Sequence, residues 1–94
     1  MNNTAIPRTL NLRWRWEGEN NDFIIYQHPV TAFLDMLNPV AAKIFCFCNG
    51  KNTIEDIADL LMKEFKGADK ETIIQDVKNF VEHMVKEEIA FVVE

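Results

Sequence analysis

Cys46 and Cys48 are the only thiols in a chain of 94 residues, and His28 and His83 are its only imidazoles. Neighbours at i and i+2 point to different sides of a helix, so the two sulfurs do not converge on one ligand. Two thiolates would leave a tetrahedral metal site half filled, and the histidines would complete it only by a coincidence of folding. The pair is read as a core or partly exposed feature, with no metal and no cofactor expected. No Ser-His-Asp or Cys-His set, no glycine-rich phosphate loop and no carboxylate pair at a plausible cleft is legible. The three glycines, Gly18, Gly50 and Gly67, all fall at turns or helix ends. The expectation is a protein that is not an enzyme.

Charge narrows the partners. Fifteen acidic residues against ten basic give a formal net charge of −5, which argues against binding driven by phosphate neutralisation and predicts no nucleic-acid partner. The opening Met1-Asn2-Asn3-Thr4-Ala5 has no basic run leading into an apolar stretch, and no segment approaches the ~18–20 apolar residues that span a bilayer. No membrane contact is expected, and the cytoplasm is the default compartment. With 48% apolar residues, seven Phe and two Trp, the composition is that of a globular domain, read here as one domain over residues 1–94.

The elements that must position any site follow from periodicity. Leu12-Arg13-Trp14-Arg15-Trp16 alternates strictly and predicts a strand with Leu12, Trp14 and Trp16 on one face. The tryptophans are expected on the helices, and Arg13 and Arg15 on a solvated face that a partner enzyme could also use. Residues 18–22 are a polar turn, and Phe23-Ile24-Ile25-Tyr26 returns antiparallel. His28-Pro29 breaks that strand, and a third extended run covers residues 30–37. Asn38-Pro39 starts a helix, with Asn as N-cap and Pro at the first helical position. Thr53-Ile54-Glu55-Asp56 is a capping-box-like start to a second helix ending at Gly67. Asp69 caps a third, whose Ile73, Ile74, Val77, Phe80, Val81, Met84 and Val85 form a broad apolar stripe. Phe91-Val92-Val93 reads as a short extended tail that could add a strand. The predicted class is α+β: winged-helix-like, a three-stranded antiparallel sheet followed by three helices.

In that frame the sequence resembles the PqqD family. The resemblance is carried by Leu37-Asn38-Pro39-Val40-Ala41-Ala42-Lys43-Ile44-Phe45, by Cys48-Asn49-Gly50, by Thr53-Ile54-Glu55-Asp56-Ile57-Ala58, and by Asp76-Val77, Phe80-Val81 and Met84. Arg13-Trp14-Arg15-Trp16 is similar to the family's basic-aromatic first strand. Asn49 departs from the common Asp, and Glu88-Ile89 from a frequent Gly-Leu. The resemblance implies a peptide-recognition element for ribosomally made, post-translationally modified peptides. Its partners would be a precursor leader peptide and a modifying enzyme, often a radical S-adenosylmethionine enzyme. It also implies that the leader docks along the third strand, in a groove bounded by the third helix.

Edge-strand addition supplies the physical logic. Eight extended residues offer roughly 26 Å of template. Three or four backbone hydrogen bonds at ~1 kcal/mol net fall short of the ~8 kcal/mol that a micromolar complex needs, so an apolar groove must supply the rest. Its candidates are Phe33, Leu34, Asp35 and Met36 on the strand, and Val77, Lys78, Phe80, Val81 and Met84 on the third helix. Lys78 and Lys86 are expected to hold acidic leader residues at the rim. An open edge also admits pairing with a second copy, so monomer and dimer both stand. The rival reading is a winged helix-turn-helix DNA-binding regulator. Its recognition helix would open Lys70-Glu71-Thr72-Ile73-Ile74-Gln75-Asp76, which is mixed in sign.

Overall fold

The computed structural model describes residues 1–93. Five strands and three helices follow in the order β1 (Ile6–Thr9), β2 (Arg13–Glu17), β3 (Phe23–Gln27), β4 (Leu34–Leu37), α1 (Pro39–Phe47), α2 (Ile54–Glu64), α3 (Lys70–Lys86) and β5 (Ala90–Val93). The fold is α+β, with the predicted three-stranded antiparallel sheet, order β2-β3-β4, and three helices after it.

Each helix starts where its cap residue requires. Asn38 Oδ1 accepts from the Ala41 amide at 2.9 Å with Pro39 opening α1, and Thr53 and Asp56 complete both arms of a capping box at 3.0 Å. Asp69 accepts from the Thr72 amide at the head of α3. α2 ends at Glu64 with Phe65 as its C-cap, three residues before Gly67. No helix among the described residues is long and apolar enough to cross a membrane.

Two features differ from the sequence reading. The extended run over residues 30–37 is half turn: only Leu34–Leu37 pair with β3, and residues 29–31 form a turn held by His28. The His28 ring takes the Val30 and Thr31 amides and prevents an extended path there. The C-terminal strand does not join the three-stranded sheet either. It pairs antiparallel with β1, Ile6 opposite Val93 and Thr9 opposite Ala90, as a separate two-stranded sheet. β1 contains Pro7, which weakens any strand signal. Such a residue fits where ladder donors are few, and its carbonyl accepts from Gly50 at 3.0 Å. Gly50 sits at φ +81, with Arg8 Cδ 3.0 Å from where a Cβ would stand, so the loop after α1 approaches β1 closely.

The register assigns faces. Trp14, Tyr26 and Asp35 lie abreast on one face, as do Trp16, Ile24 and Leu37; Arg15, Ile25 and Met36 lie on the other. The first face covers the helices. Trp14 meets Phe45 edge to face at 5.5 Å, Tyr26 stacks on Phe45, and Lys43 lies 5.6 Å over the Trp16 ring. Ile24, Ile44, Ile54, Ile57, Leu61, Val77, Val81, Met84 and Ile89 fill the core beneath.

Candidate functional site

β4 is an edge strand whose outer side pairs with nothing among the described residues. The His28 amide donates to the Phe33 carbonyl at 2.9 Å and closes the hairpin. Hydrogen-bonded pairs in an antiparallel ladder recur every second residue, which makes Tyr26–Asp35 and Ile24–Leu37 the next two. The backbone groups of Leu34 and Met36 therefore point away from β3, toward the open edge. Around them the chain exposes Phe33 at 77%, Leu34 at 71% and Met36 at 59%. Three large apolar side chains beside an unpaired strand edge form a surface that water does not favour.

A recess of about 370 Å3 runs between this edge and the C-terminal half of α3. Tyr26, Phe33 and Asp35 form one wall and His83 and Glu87 the other. His28 fixes its width. Its Nδ1 lies 3.1 and 3.2 Å from the Val30 and Thr31 amides, so that nitrogen must carry the lone pair. Nε2 is then the protonated nitrogen, and it donates to the Glu87 carbonyl at 3.0 Å, tying the β3–β4 turn to the end of α3.

Two carboxylates, Asp35 and Glu87, and two imidazoles, His28 and His83, line the recess. The Tyr26 hydroxyl donates to Asp35 Oδ2 at 3.3 Å. Its pKa is pushed up to about 12, first by burial, then by the Asp35 charge and hydrogen bond, and last by Glu87. Asp35 Oδ1 accepts from the Met36 amide at 2.8 Å and so occupies one donor of the open edge. Neither Asp35 nor Glu87 is in an ion pair among the described residues.

The residues singled out from sequence separate into three groups. Phe33, Leu34, Asp35 and Met36 are exposed together on the edge. Val77, Val81 and Met84 are 0–1% exposed and belong to the core. Phe80 is half-buried and shares a flank of α3 with His83 and Glu87, whereas Lys78 lies roughly 160° around the helix from that flank. Neither Lys78 nor Lys86 lines the recess, whose carboxylates are Asp35 and Glu87. Tyr26, His83 and Glu87 were not among the expected site residues. The spacing Phe80, His83, Glu87 along one edge of the apolar stripe is the signal that would have found the last two.

The cysteines stand apart from this site. Cys48 is buried and its thiol is pushed up to about 12 by burial and then by Cys46; Cys46 is half-buried and also raised, by burial. Both shifts run against thiolate formation.

The family model for coenzyme PQQ synthesis protein D (PqqD) matches residues 27–90, from the last residue of β3 to the first of β5. A solved structure described as "TbiB1 in Complex with the TbiA(beta) Leader Peptide" aligns with a TM-score of 0.73 at 18% sequence identity, covering 88% of this chain and 93% of that one. At that identity the likeness is one of fold. No curated protein matches significantly.

Proposed function

This chain belongs to the PqqD family, and from that premise we propose that it is a non-catalytic adaptor that binds the leader segment of a ribosomally made precursor. It presents the precursor to a modifying enzyme of the radical S-adenosylmethionine type, in the cytoplasm. The leader adds as a strand beside β4, facing α3. The observation that carries this reading is the open β4 edge, with Phe33, Leu34 and Met36 each more than half exposed around it. The leader-bound state of the structurally similar TbiB1 supports it.

Magnitudes agree with a micromolar complex. Leu34 and Met36 offer about four outward backbone groups, worth ~4 kcal/mol in net hydrogen bonds. Burying two leader side chains against Phe33, Leu34, Met36 and Phe80 adds ~1.5–3 kcal/mol each, before ordering costs. Val77, Val81 and Met84, having no free surface, serve as the packed floor under α3. The β2 edge is the poorer template, because Arg13, Arg15 and Glu17 place charge along it and Arg15 pairs with Glu17. The DNA-binding alternative draws less support, since Lys70 at the head of α3 is held by Glu55 at 3.2 Å and Asp59 at 3.1 Å.

The test is fluorescence anisotropy with the unmodified leader encoded beside this gene. The expected result is saturable binding near micromolar. It should weaken at least about ten-fold in Met36→Pro, which removes an outward amide without touching the β3–β4 ladder. No binding up to about a hundred micromolar by folded protein would overturn the proposal, as would full affinity in Met36→Pro.

A further inference from the structure

We infer that Asp35 is both the guard and the selector of the β4 edge: it seals the Met36 amide in the free protein, and on docking it takes a basic side chain of the incoming strand. This rests on the docking reading above and goes beyond it by naming the charge of the peptide that fits.

Three observations carry it. The Asp35 carboxylate holds the Met36 amide at 2.8 Å, one of the donors an added strand must use. A docking peptide carbonyl therefore has to displace Oδ1. The same side chain lies on the inward face of the sheet, abreast of Tyr26 and opposite Glu87 across the recess. Once displaced, its charge is left with the 3.3 Å Tyr26 hydroxyl as partner, in a recess whose other carboxylate, Glu87, is likewise without an ion pair among the described residues. A Lys or Arg at an inward-facing peptide position satisfies both acids.

Alternation then fixes the rest of the motif. Residues of an added strand that point outward lie beside Leu34 and Met36, with Ile25 next to Met36 on the same face. Those that point inward meet Phe33, Asp35, His83 and Glu87. The peptide class is therefore a strand with apolar residues facing out and at least one cation facing in. An acidic residue at the inward position would meet two like charges.

Two substitutions separate the two roles. Asp35→Asn keeps an oxygen acceptor for the Met36 amide but removes the charge; Asp35→Ala removes both. The position is exposed, and circular dichroism checks the folding of each variant. A phage-displayed library of randomised octapeptides is selected on the wild type and on both variants. The wild type is expected to enrich alternating apolar residues with Lys or Arg at an intervening position. Asp35→Asn should keep the apolar alternation and lose the basic preference. For the best wild-type peptide, Lys→Gln should weaken binding by about 2–5-fold on wild type and leave affinity for Asp35→Asn unchanged. The Gln peptide should bind Asp35→Ala several-fold more tightly than wild type, because the guard is gone. Apolar enrichment without a basic preference, or equal weakening on wild type and Asp35→Asn, overturns the selector and leaves the docking reading standing. A Gln peptide that binds Asp35→Ala no more tightly than wild type overturns the guard. A wild type that enriches no peptide overturns the docking reading, and this inference with it.

Discussion

Tyr26 is the only tyrosine of the chain, and its hydroxyl sits at the base of the recess, 3.3 Å from Asp35 Oδ2. An ultraviolet absorbance titration therefore reports this one group. Its pKa is raised from 10.0 to about 12, so between these values the folded protein holds a proton that the unfolded chain has released. The associated stability is fully present below pH 10 and is lost as pH rises through 12. The phenolate of wild type is expected to appear near pH 12. In Asp35→Asn the midpoint should fall, because two of the causes of the shift are removed, yet stay above 10, because burial is the largest. A midpoint near 10 in folded wild type would contradict the described contact between Tyr26 and Asp35.

At the scale of elements, α3 ends without the glycine that usually serves there. Glu88 adopts φ +62, with its amide and that of Ile89 closing back on the carbonyls of Val85 and Met84 at 3.0 Å each. A left-handed residue with a Cβ costs ~1–2 kcal/mol, while glycine costs ~0.5–1 kcal/mol in unfolded-state entropy. Glu88→Gly is expected to stabilise the fold by up to ~1 kcal/mol, read as a higher urea midpoint at unchanged slope. An unchanged or lower midpoint would show that the terminus is not strained. The caps at Asn38, Thr53 and Asp69 were legible from sequence, because a cap is a local contract between neighbouring residues. So was the hairpin of β2 and β3, from strict alternation around a polar turn. The β1–β5 sheet was not, because its two short strands lie at opposite ends of the chain and one carries a proline. The turn over residues 29–31 is not legible in the sequence, because it depends on a ring nitrogen of His28 reaching forward to two amides.

For the whole molecule, the sheet has two free edges and differs sharply between them. β2 carries Arg13, Arg15 and Glu17, the charged pattern that keeps an edge from pairing, while β4 carries Leu34 and Met36. The helices pack beneath the inner face, and His83 and Glu87 at the end of α3 line the recess beside β4. Half of the candidate site was visible in the sequence: the exposed strand residues announce themselves as apolar side chains with no place in a helix stripe. The helix half was not, because core and groove residues alternate within one stripe. Only packing assigns Val77, Val81 and Met84 inward. In the proposed mode of binding a leader peptide adds to β4 and nowhere else. Amide hydrogen exchange with and without the leader, read residue by residue, tests it most directly. New protection is expected at Leu34, whose amide faces the open edge, with a smaller gain at Met36, whose amide Asp35 already holds at 2.8 Å, and little change at Asp35 and Leu37, already bonded to β3. Saturable binding that leaves Leu34 unprotected, or that protects the β2 edge instead, would contradict it.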